Sequence, residues 1–159
     1  MVAWLTNTTW GKLFATFFIS MLPVVELRLG LPYGIALGLD YPRALAAAVL
    51  GNLLPAPFII LFVRQAFAWL RARHPRLDAW IGRMEKKAHL KGQMVNKYGP
   101  LGLCLLVAIP LPGTGAWTGA LVAALLDLRM RRAMPAIIAG VLIAAGIMTL
   151  VTYGVIAVV

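Results

Sequence analysis

A glutamate and an arginine interrupt an apolar run in Leu22-Pro23-Val24-Val25-Glu26-Leu27-Arg28-Leu29-Gly30-Leu31-Pro32. No other charge occurs between Leu13 and Leu39. An ionisable side chain at bilayer depth costs about 3 kcal/mol or more, so it normally faces a cavity, a partner or a substrate. The prolines on either side break the helix and release backbone polar groups. If the chain spans a membrane, its sequence therefore predicts a functional site at this point.

Composition indicates a membrane protein. Hydrophobic residues make up 62% of the 159 residues, charged residues make up 13%, and the mean hydropathy is +0.87. Soluble domains have about 25% charged residues, so we expect one integral membrane domain over residues 1–159. The net charge of +10 could indicate nucleic-acid binding, but the chain lacks the polar surface that a soluble binder needs. Basic residues beside apolar spans more often set topology and contact anionic lipid, so we expect the bilayer, and no nucleic acid, as the partner.

Four apolar zones divide the chain, and two of them have the length of ordinary spanning helices. Ala44–Val63 and Ala133–Val159 have 20 and 27 residues, against the roughly 20 that a bilayer requires. The other two, Leu13–Leu39 and Tyr98–Leu126, are interrupted near their middle by prolines and glycines. The pieces that remain form at most about 20 Å of helix, too short for a hydrocarbon core about 30 Å thick. Each broken zone is therefore predicted to be a re-entrant hairpin, with a pair of kinked spans as the alternative.

The two halves of the chain follow the same plan. Leu22–Asp40 aligns with Ile109–Asp127 at a spacing of 87 residues, and each segment is followed by a long apolar helix. We interpret residues 10–64 and 98–159 as two structural repeats, separated by a basic linker at 65–97. With one spanning helix in each repeat, the second repeat is expected to be inverted relative to the first. The predicted fold is an all-α integral membrane protein, an inverted repeat of re-entrant helical hairpin plus transmembrane helix.

The distribution of basic residues predicts the orientation. The segment from Arg64 to Lys97 contains nine Lys and Arg, and the corner Arg129–Arg132 adds three, whereas the opposite side has Lys12 and Arg43. By the positive-inside rule, residues 64–97 are cytoplasmic and both termini lie outside, in the inner (plasma) membrane. The linker is predicted to be an amphipathic helix along the inner leaflet, with a solvated connector as the alternative. Its apolar face comprises Leu77, Trp80, Ile81, Met84, Ala88 and Val95.

We expect the tips of the two hairpins to meet at mid-depth and to form a binding site. Arg28 has forked donors suited to a phosphate or a carboxylate. The second tip opens a half-helix, whose N-terminal N–H groups favour an anion. The pattern thus predicts a site for an anionic group. The candidate residues are Pro23, Glu26, Arg28 and Pro32 in the first tip, Asn52 in the next helix, and Pro110, Pro112, Gly113, Thr114, Gly115, Trp117 and Thr118 in the second tip.

Alternatives stay open for several of these residues. Glu26 could orient the ligand, bind a proton, or form a structural ion pair with Arg28 that holds the tip together. Asn52 could line the cavity or make a polar contact between helices. The chain lacks a P-loop, a dinucleotide fingerprint, a nucleophile elbow and ligand-spaced histidines. We therefore expect neither an enzyme nor a site for a metal or cofactor.

Two motifs resemble those of a known family. Pro23-Val24-Val25-Glu26-Leu27-Arg28 with Pro32, and Ile109-Pro110-Leu111-Pro112-Gly113-Thr114-Gly115-Ala116-Trp117-Thr118-Gly119-Ala120, are similar to the signatures of the putative small multidrug export protein family. That family is thought to be distantly related to the DedA (SNARE-associated, VTT) membrane proteins. The resemblance implies inverted repeats of re-entrant hairpin plus spanning helix. Through the DedA proteins it also implies lipid movement across the bilayer, including that of undecaprenyl phosphate, with Glu26 and Arg28 as the acidic and basic hairpin residues.

Three functions compete on these grounds. The first is a transporter or flippase for an anionic amphiphile, such as undecaprenyl phosphate or a phospholipid, whose phosphate binds at the hairpin tips. The second is a proton-coupled small multidrug exporter, in which Glu26 alternates between a proton and a cationic drug. The third is a non-transporting membrane scaffold whose basic segment recruits a partner. Because two spanning helices and two hairpins enclose a small core, a homodimer is an alternative to a monomer.

Overall fold

The computed structural model describes residues 8–73, 78–109 and 114–158, and every element in these ranges is a helix. The all-α prediction is therefore confirmed for the described part of the chain. The elements, in chain order, are α1 (Thr9–Met21), α2 (Glu26–Ala36), α3 (Tyr41–Leu53), α4 (Pro55–Arg73), α5 (Asp78–Lys91), α6 (Gln93–Tyr98), α7 (Pro100–Ala108), α8 (Ala116–Leu125) and α9 (Met130–Val158).

Two helical segments are long and apolar enough to cross a membrane, as the sequence predicts. Helices α3 and α4 join into one run of 33 residues, Tyr41–Arg73, and the second segment is Met130–Gly154, with 25 residues. At 1.5 Å per residue they measure about 50 and 38 Å, more than the roughly 30 Å of a hydrocarbon core. Helix α4 continues past residue 64, the predicted end of the first repeat, because residues 64–73 are rich in strong helix formers.

Helices α1 and α2 form an antiparallel pair joined by a short turn at residues 22–25. Small residues let the two helices approach closely: a Cβ at Gly30 would lie 1.8 Å from Ser20 Oγ, and a Cβ at Gly34 would lie 2.8 Å from Thr16 Oγ1. At the tip, Glu26 begins α2 with a φ of 50°, in the left-handed region. Such backbone costs a non-glycine residue about 1–3 kcal/mol and is found mainly where function or packing requires it.

Helix α3 runs alongside α1 and starts at the open end of this hairpin. A Cβ at Gly51 would lie 2.2 Å from the Phe17 carbonyl oxygen, so the two backbones touch at that level. Gly51 lies ten residues after Tyr41, the first residue of α3, or about 15 Å along the helix axis. The next residue, Asn52, lines the same small space as Glu26 and Arg28, so the tip lies near this level of α3, about 15 Å from its start and half the thickness of a hydrocarbon core.

Helices α7, α8 and α9 repeat this packing in the second half. A Cβ at Gly119 in α8 would lie 2.4 Å from Val107 Cγ2 in α7, and one at Gly140 in α9 would lie 2.7 Å from the Cys104 carbonyl oxygen. The connection between α7 and α8 includes residues 110–113, which lie outside the described residues. The re-entrant placement of both hairpins in a membrane and the inversion of the repeat stay predictions.

Beyond the end of α4, the described part of the basic linker forms two helices, α5 and α6, on either side of Gly92. Most of the predicted apolar face is directed into the protein: Ile81, Ala88 and Val95 are buried and Met84 is partly buried. Trp80 is half exposed, and Leu77 lies outside the described residues. Helix α5 packs against α8 and α4, so the linker covers one side of the second hairpin rather than standing free.

Candidate functional site

The guanidinium group of Arg28 joins the tips of the two hairpins. Its Nη2 donates a hydrogen bond to Thr114 Oγ1 at 2.9 Å, a second to the Thr114 carbonyl oxygen, and a longer one, 3.4 Å, to the Ile109 carbonyl oxygen. Thr114 Oγ1 in turn donates to the Ile109 carbonyl oxygen at 2.7 Å. The positive charge of the first tip is thus held by neutral oxygens of the second tip, on both sides of residues 110–113.

Glu26 is buried against the start of helix α8, with only 4% of its surface exposed. The backbone N–H of Trp117, in the first turn of α8, donates to Glu26 Oε1 at 3.4 Å. Gly115 has a φ of 132°, and a Cβ there would lie 1.9 Å from Glu26 Oε2, so the carboxylate occupies space that any side chain at 115 would take. The helix N-terminus that we expected to attract a substrate anion already faces the protein's own carboxylate.

Trp117 forms a second bridge between the tips. Its indole Nε1 donates a hydrogen bond to the carbonyl oxygen of Met21, the last residue of α1, at 3.0 Å. That carbonyl belongs to the end of a helix and has no partner within the helix, so the indole satisfies a group that would otherwise be costly in an apolar setting. Together, the Arg28 and Trp117 side chains reach across the contact in opposite directions.

Asn52 lies beside this contact and lines the same small space as Glu26, Arg28 and Gly115. The space has a volume of about 10 Å³, room for no more than about one water molecule. Asn52 is buried, with 4% of its surface exposed, and its Oδ1 has no hydrogen-bond partner among the described residues. Of the two alternatives for Asn52, its position at the tips agrees with the first, a residue of the site.

The remaining predicted residues lie around two apolar grooves or outside the described chain. Pro32, inside α2, lines a groove next to Arg28, whereas Pro23 and Thr118 line a second groove next to Trp117. The predictions for Pro110, Pro112 and Gly113 fall on residues outside the described ranges. Of the others, the structure brings Glu26, Arg28, Asn52, Thr114, Gly115 and Trp117 together at the tips.

The two grooves were missed by the sequence analysis. The first, which we call the Arg28 groove, has a volume of about 430 Å³ and is lined by Arg28, Leu29, Pro32, Ile35, Ala36, Met148, Val151 and Thr152. The second, the Trp117 groove, has a volume of about 330 Å³ and is lined by Pro23, Ile59, Val63, Phe67, Met84, Trp117, Thr118 and Leu121. Apolar residues that line a groove have the same sequence signature as residues that face lipid, so no signal in the chain distinguishes them.

A comparison with known protein families shows which family the chain belongs to. Residues 26–147, which begin at Glu26 and include Arg28 and the whole second tip, match the family described as "Putative small multi-drug export protein". The chain belongs to this family. The family match confirms the predicted family and agrees with a multi-pass membrane protein of the transporter class. No curated protein and no solved structure matches the chain, and the relationship to the DedA proteins stays a prediction.

In the described part of this small multi-drug export family member, three of the four ion pairs lie on the basic side of the molecule. Arg64 in α4 pairs with Asp127, just after α8, and Arg71 in α4 pairs with Asp78 and Glu85 in α5, both at 2.8 Å. These pairs border a polar cavity of about 350 Å³. Since all of these side chains are partly exposed, the pairs contribute little to stability, and the two pairs of Arg71 connect α4 to α5.

Proposed function

We propose that this protein is a transporter, or flippase, that moves an anionic amphiphile across the inner membrane. The substrate is a lipid phosphate such as undecaprenyl phosphate or a phospholipid, and its phosphate binds at the hairpin tips near mid-membrane. One observation carries the proposal: Arg28 lies where the two tips meet and also lines an apolar groove on the surface of the helix bundle. A permanent positive charge beside an apolar groove suits a molecule with one anionic group and a long apolar chain.

The proposed inverted repeat is supported by contacts that recur at constant spacings. The first helices of the hairpins correspond at 87 residues, as with Phe17 and Cys104, and the long helices correspond at 89, as with Gly51 and Gly140. Buried positions follow the same spacing of 89: Ala44 with Ala133, Ala47 with Ala136, Ala48 with Ile137, Asn52 with Val141, and Ala56 with Ala145. The second spacing is larger because the second tip is longer than the first.

The ends of the second hairpin helices agree with this correspondence. Helix α2 closes with a hydrogen bond from Leu39 N–H to the Gly34 carbonyl, and α8 closes with one from Leu128 N–H to the Ala123 carbonyl, again 89 residues apart. In both, the residue before the donor, Gly38 or Asp127, has a positive φ. This six-to-one bond with a left-handed residue is the Schellman cap.

The proposed depth of the site is supported by the positions of charges on the long helices. With the tips at the centre of a core about 30 Å thick, the core extends about ten residues in each direction along α3 and α4 from Gly51. Those limits fall close to Arg43 and Arg64, and no charge lies between them. The same distance from Gly140 reaches Arg131 and Arg132 on one side. The basic linker is then cytoplasmic and both termini are outside.

Substrate binding requires a rearrangement at the tips. The described hydrogen bonds of Arg28 go to oxygens of Thr114 and Ile109, and Glu26 lies at the N-terminus of α8. A phosphate that approaches Arg28 replaces neutral oxygens by a charged acceptor, which forms a hydrogen bond roughly twice as strong. It also meets the Glu26 carboxylate at the start of α8.

The test is native mass spectrometry of the detergent-purified protein with undecaprenyl phosphate and undecaprenol offered together. The wild type should retain the phosphate, and Arg28→Ala should lose the preference, by about tenfold or more, because each hydrogen bond to a charged group contributes about 1.5–3 kcal/mol. Arg43→Ala is the matched control, since Arg43 is a surface arginine that pairs with Asp40 at 3.3 Å. Equal retention by wild type and Arg28→Ala would refute the proposal.

A proton-coupled exporter of cationic drugs is the second candidate, and Asn52 is the observation that favours it. A buried Oδ1 without a donor, in the same small space as the Glu26 carboxylate, is suited to accept a hydrogen bond from a protonated Glu26. This function predicts that Glu26→Gln abolishes drug resistance in drug-sensitive cells, with a smaller effect of Arg28→Ala. If overexpression of the wild type changes no drug's inhibitory concentration, the exporter is excluded as the function.

A further inference from the structure

The Arg28 groove and the Trp117 groove are formed by corresponding positions of the two halves. Five residues that line the Arg28 groove are each 89 residues away from a residue that lines the Trp117 groove. The pairs are Arg28 with Trp117, Leu29 with Thr118, Pro32 with Leu121, Met148 with Ile59, and Thr152 with Val63. Each groove lies between the second helix of one hairpin and the long helix of the other half. If the two grooves were unrelated gaps in the packing, we would not expect them to be lined by corresponding residues.

We infer that the two grooves are alternative binding sites for the hydrocarbon chain of one lipid phosphate, whose phosphate stays at the hairpin tips. The inference rests on the proposed function and adds to it where the chain lies. The Arg28 and Trp117 side chains both reach across the contact between the tips, and each of them also lines one groove. One end of each groove therefore lies next to the same site. A lipid with its phosphate there places its chain in one groove or the other.

Chemistry restricts the occupant of both grooves to an apolar chain. Apart from Arg28, the lining of the first groove has one hydroxyl, that of Thr152, and its other side chains are apolar. The second groove has no charged residue in its lining. Volumes of about 430 and 330 Å³ lie at the lower end of the range of about 300–1,000 Å³ for small-molecule sites, enough for part of a chain and not for a whole lipid.

The grooves differ in their surroundings. The Arg28 groove is lined by α2 and α9, and Leu29 within it is 59% exposed. The Trp117 groove is lined by α4 and α8, by Pro23 of the first tip, and also by Met84 of α5, the linker helix. In an inverted repeat the first groove opens toward one leaflet and the second toward the other, where α5 covers it. A chain that moves from one groove to the other crosses the bilayer midplane while its phosphate stays at the tips.

Photolabelling in proteoliposomes tests this inference. The probe is phosphatidic acid with a diazirine near the end of one acyl chain, and the comparison probe is diacylglycerol with the same chain. We expect the phosphate probe to label both grooves about tenfold more than diacylglycerol does, the ratio that about 1.4 kcal/mol of headgroup binding gives. Ala36→Trp, or independently Leu29→Trp, should remove the label from the Arg28 groove, and Val63→Trp should remove it from the Trp117 groove. Ala139→Trp, on an exposed face of α9 away from both grooves, should change neither.

The outcomes separate this inference from the proposed function. Label in one groove only, or equal labelling by the two probes, overturns the two-groove inference. Native mass spectrometry of the same preparations shows whether phosphate retention still depends on Arg28. If it does, the site at the tips stands and the chain lies elsewhere. If it does not, the proposed function fails together with the inference.

Discussion

Neutralising Glu26 should strengthen phosphate binding if the site carries a lipid phosphate. The Glu26 carboxylate lies at the N-terminus of α8, where the Trp117 N–H donates to it, and two residues from Arg28. A substrate phosphate would occupy the same positive region and would be repelled by this carboxylate. Glu26→Gln keeps the shape and an oxygen acceptor for Trp117, removes the negative charge and replaces the other carboxylate oxygen by an amide donor.

The magnitude follows from Coulomb's law. For an assumed separation of about 6 Å between a phosphate on Arg28 and the Glu26 carboxylate, two unit charges at an effective dielectric constant of about 20 repel by about 3 kcal/mol. Removal of that repulsion corresponds to an increase in affinity of about 100-fold, as an upper value. The increase is measured by native mass spectrometry with undecaprenyl phosphate titrated into the detergent-solubilised protein. Asp40→Asn is the control, because it removes the same charge at the open end of the hairpin.

The sign of the change distinguishes the candidate functions. A lipid-phosphate transporter with Glu26→Gln binds its substrate more tightly, and its transport slows because release becomes slower. A proton-coupled exporter with the same substitution loses both drug binding and transport, since the cation and the proton use the carboxylate. Unchanged or weaker binding of undecaprenyl phosphate by Glu26→Gln would refute the assignment of the α8 N-terminus to the substrate phosphate.

Two further predictions concern the framework of the site. Gly30→Ala should destabilise the protein by about 1–3 kcal/mol, because the added Cβ would lie 1.8 Å from Ser20 Oγ, and Ser20→Gly in the same chain should restore the thermal midpoint; Gly146→Ala, with open space around it, is the control. A midpoint equal to that of the control would contradict the tight packing of α1 on α2. Arg71→Ala should speed hydrogen exchange in α5 and leave α9 unchanged, since both ion pairs from α4 to α5 are lost. Unaltered exchange in α5 would mean that apolar packing alone holds this helix.

Much of the architecture could be predicted from the sequence because a bilayer excludes irregular backbone and charged side chains that face lipid. Apolar length gave the two long helices, and prolines and glycines gave the two breaks, because irregular backbone is tolerated at depth only where protein surrounds it. The same reasoning predicted that Glu26 and Arg28 face the second tip, because neither charge is stable against lipid. The contacts of Arg28 with Thr114 and of Glu26 with Trp117 agree with that expectation.

Other features depend on register and therefore could not be predicted. Sequence identity aligned the halves at a single spacing of 87 residues, whereas the contacts of Gly51 and Gly140 show that the long helices correspond at 89. At 89, Arg28 corresponds to Trp117, a pair that no alignment by residue type would select. The grooves and the orientation of Asn52 depend on the same register, so they become visible only when the helices are packed.

The correspondence of Arg28 with Trp117 determines the net charge of the site at mid-depth. Two arginines at these positions would place two positive charges at mid-depth, each with its own desolvation cost. With tryptophan in the second position, the described tip contains one positive side chain, Arg28, and one negative side chain, Glu26, so it is close to neutral without substrate. Bound phosphate adds negative charge to this tip. Protonation of Glu26, with Asn52 Oδ1 beside it to accept the hydrogen bond, restores the balance. One lipid phosphate and one proton would then move together, whereas the exporter would exchange a proton for a cationic drug at the same carboxylate.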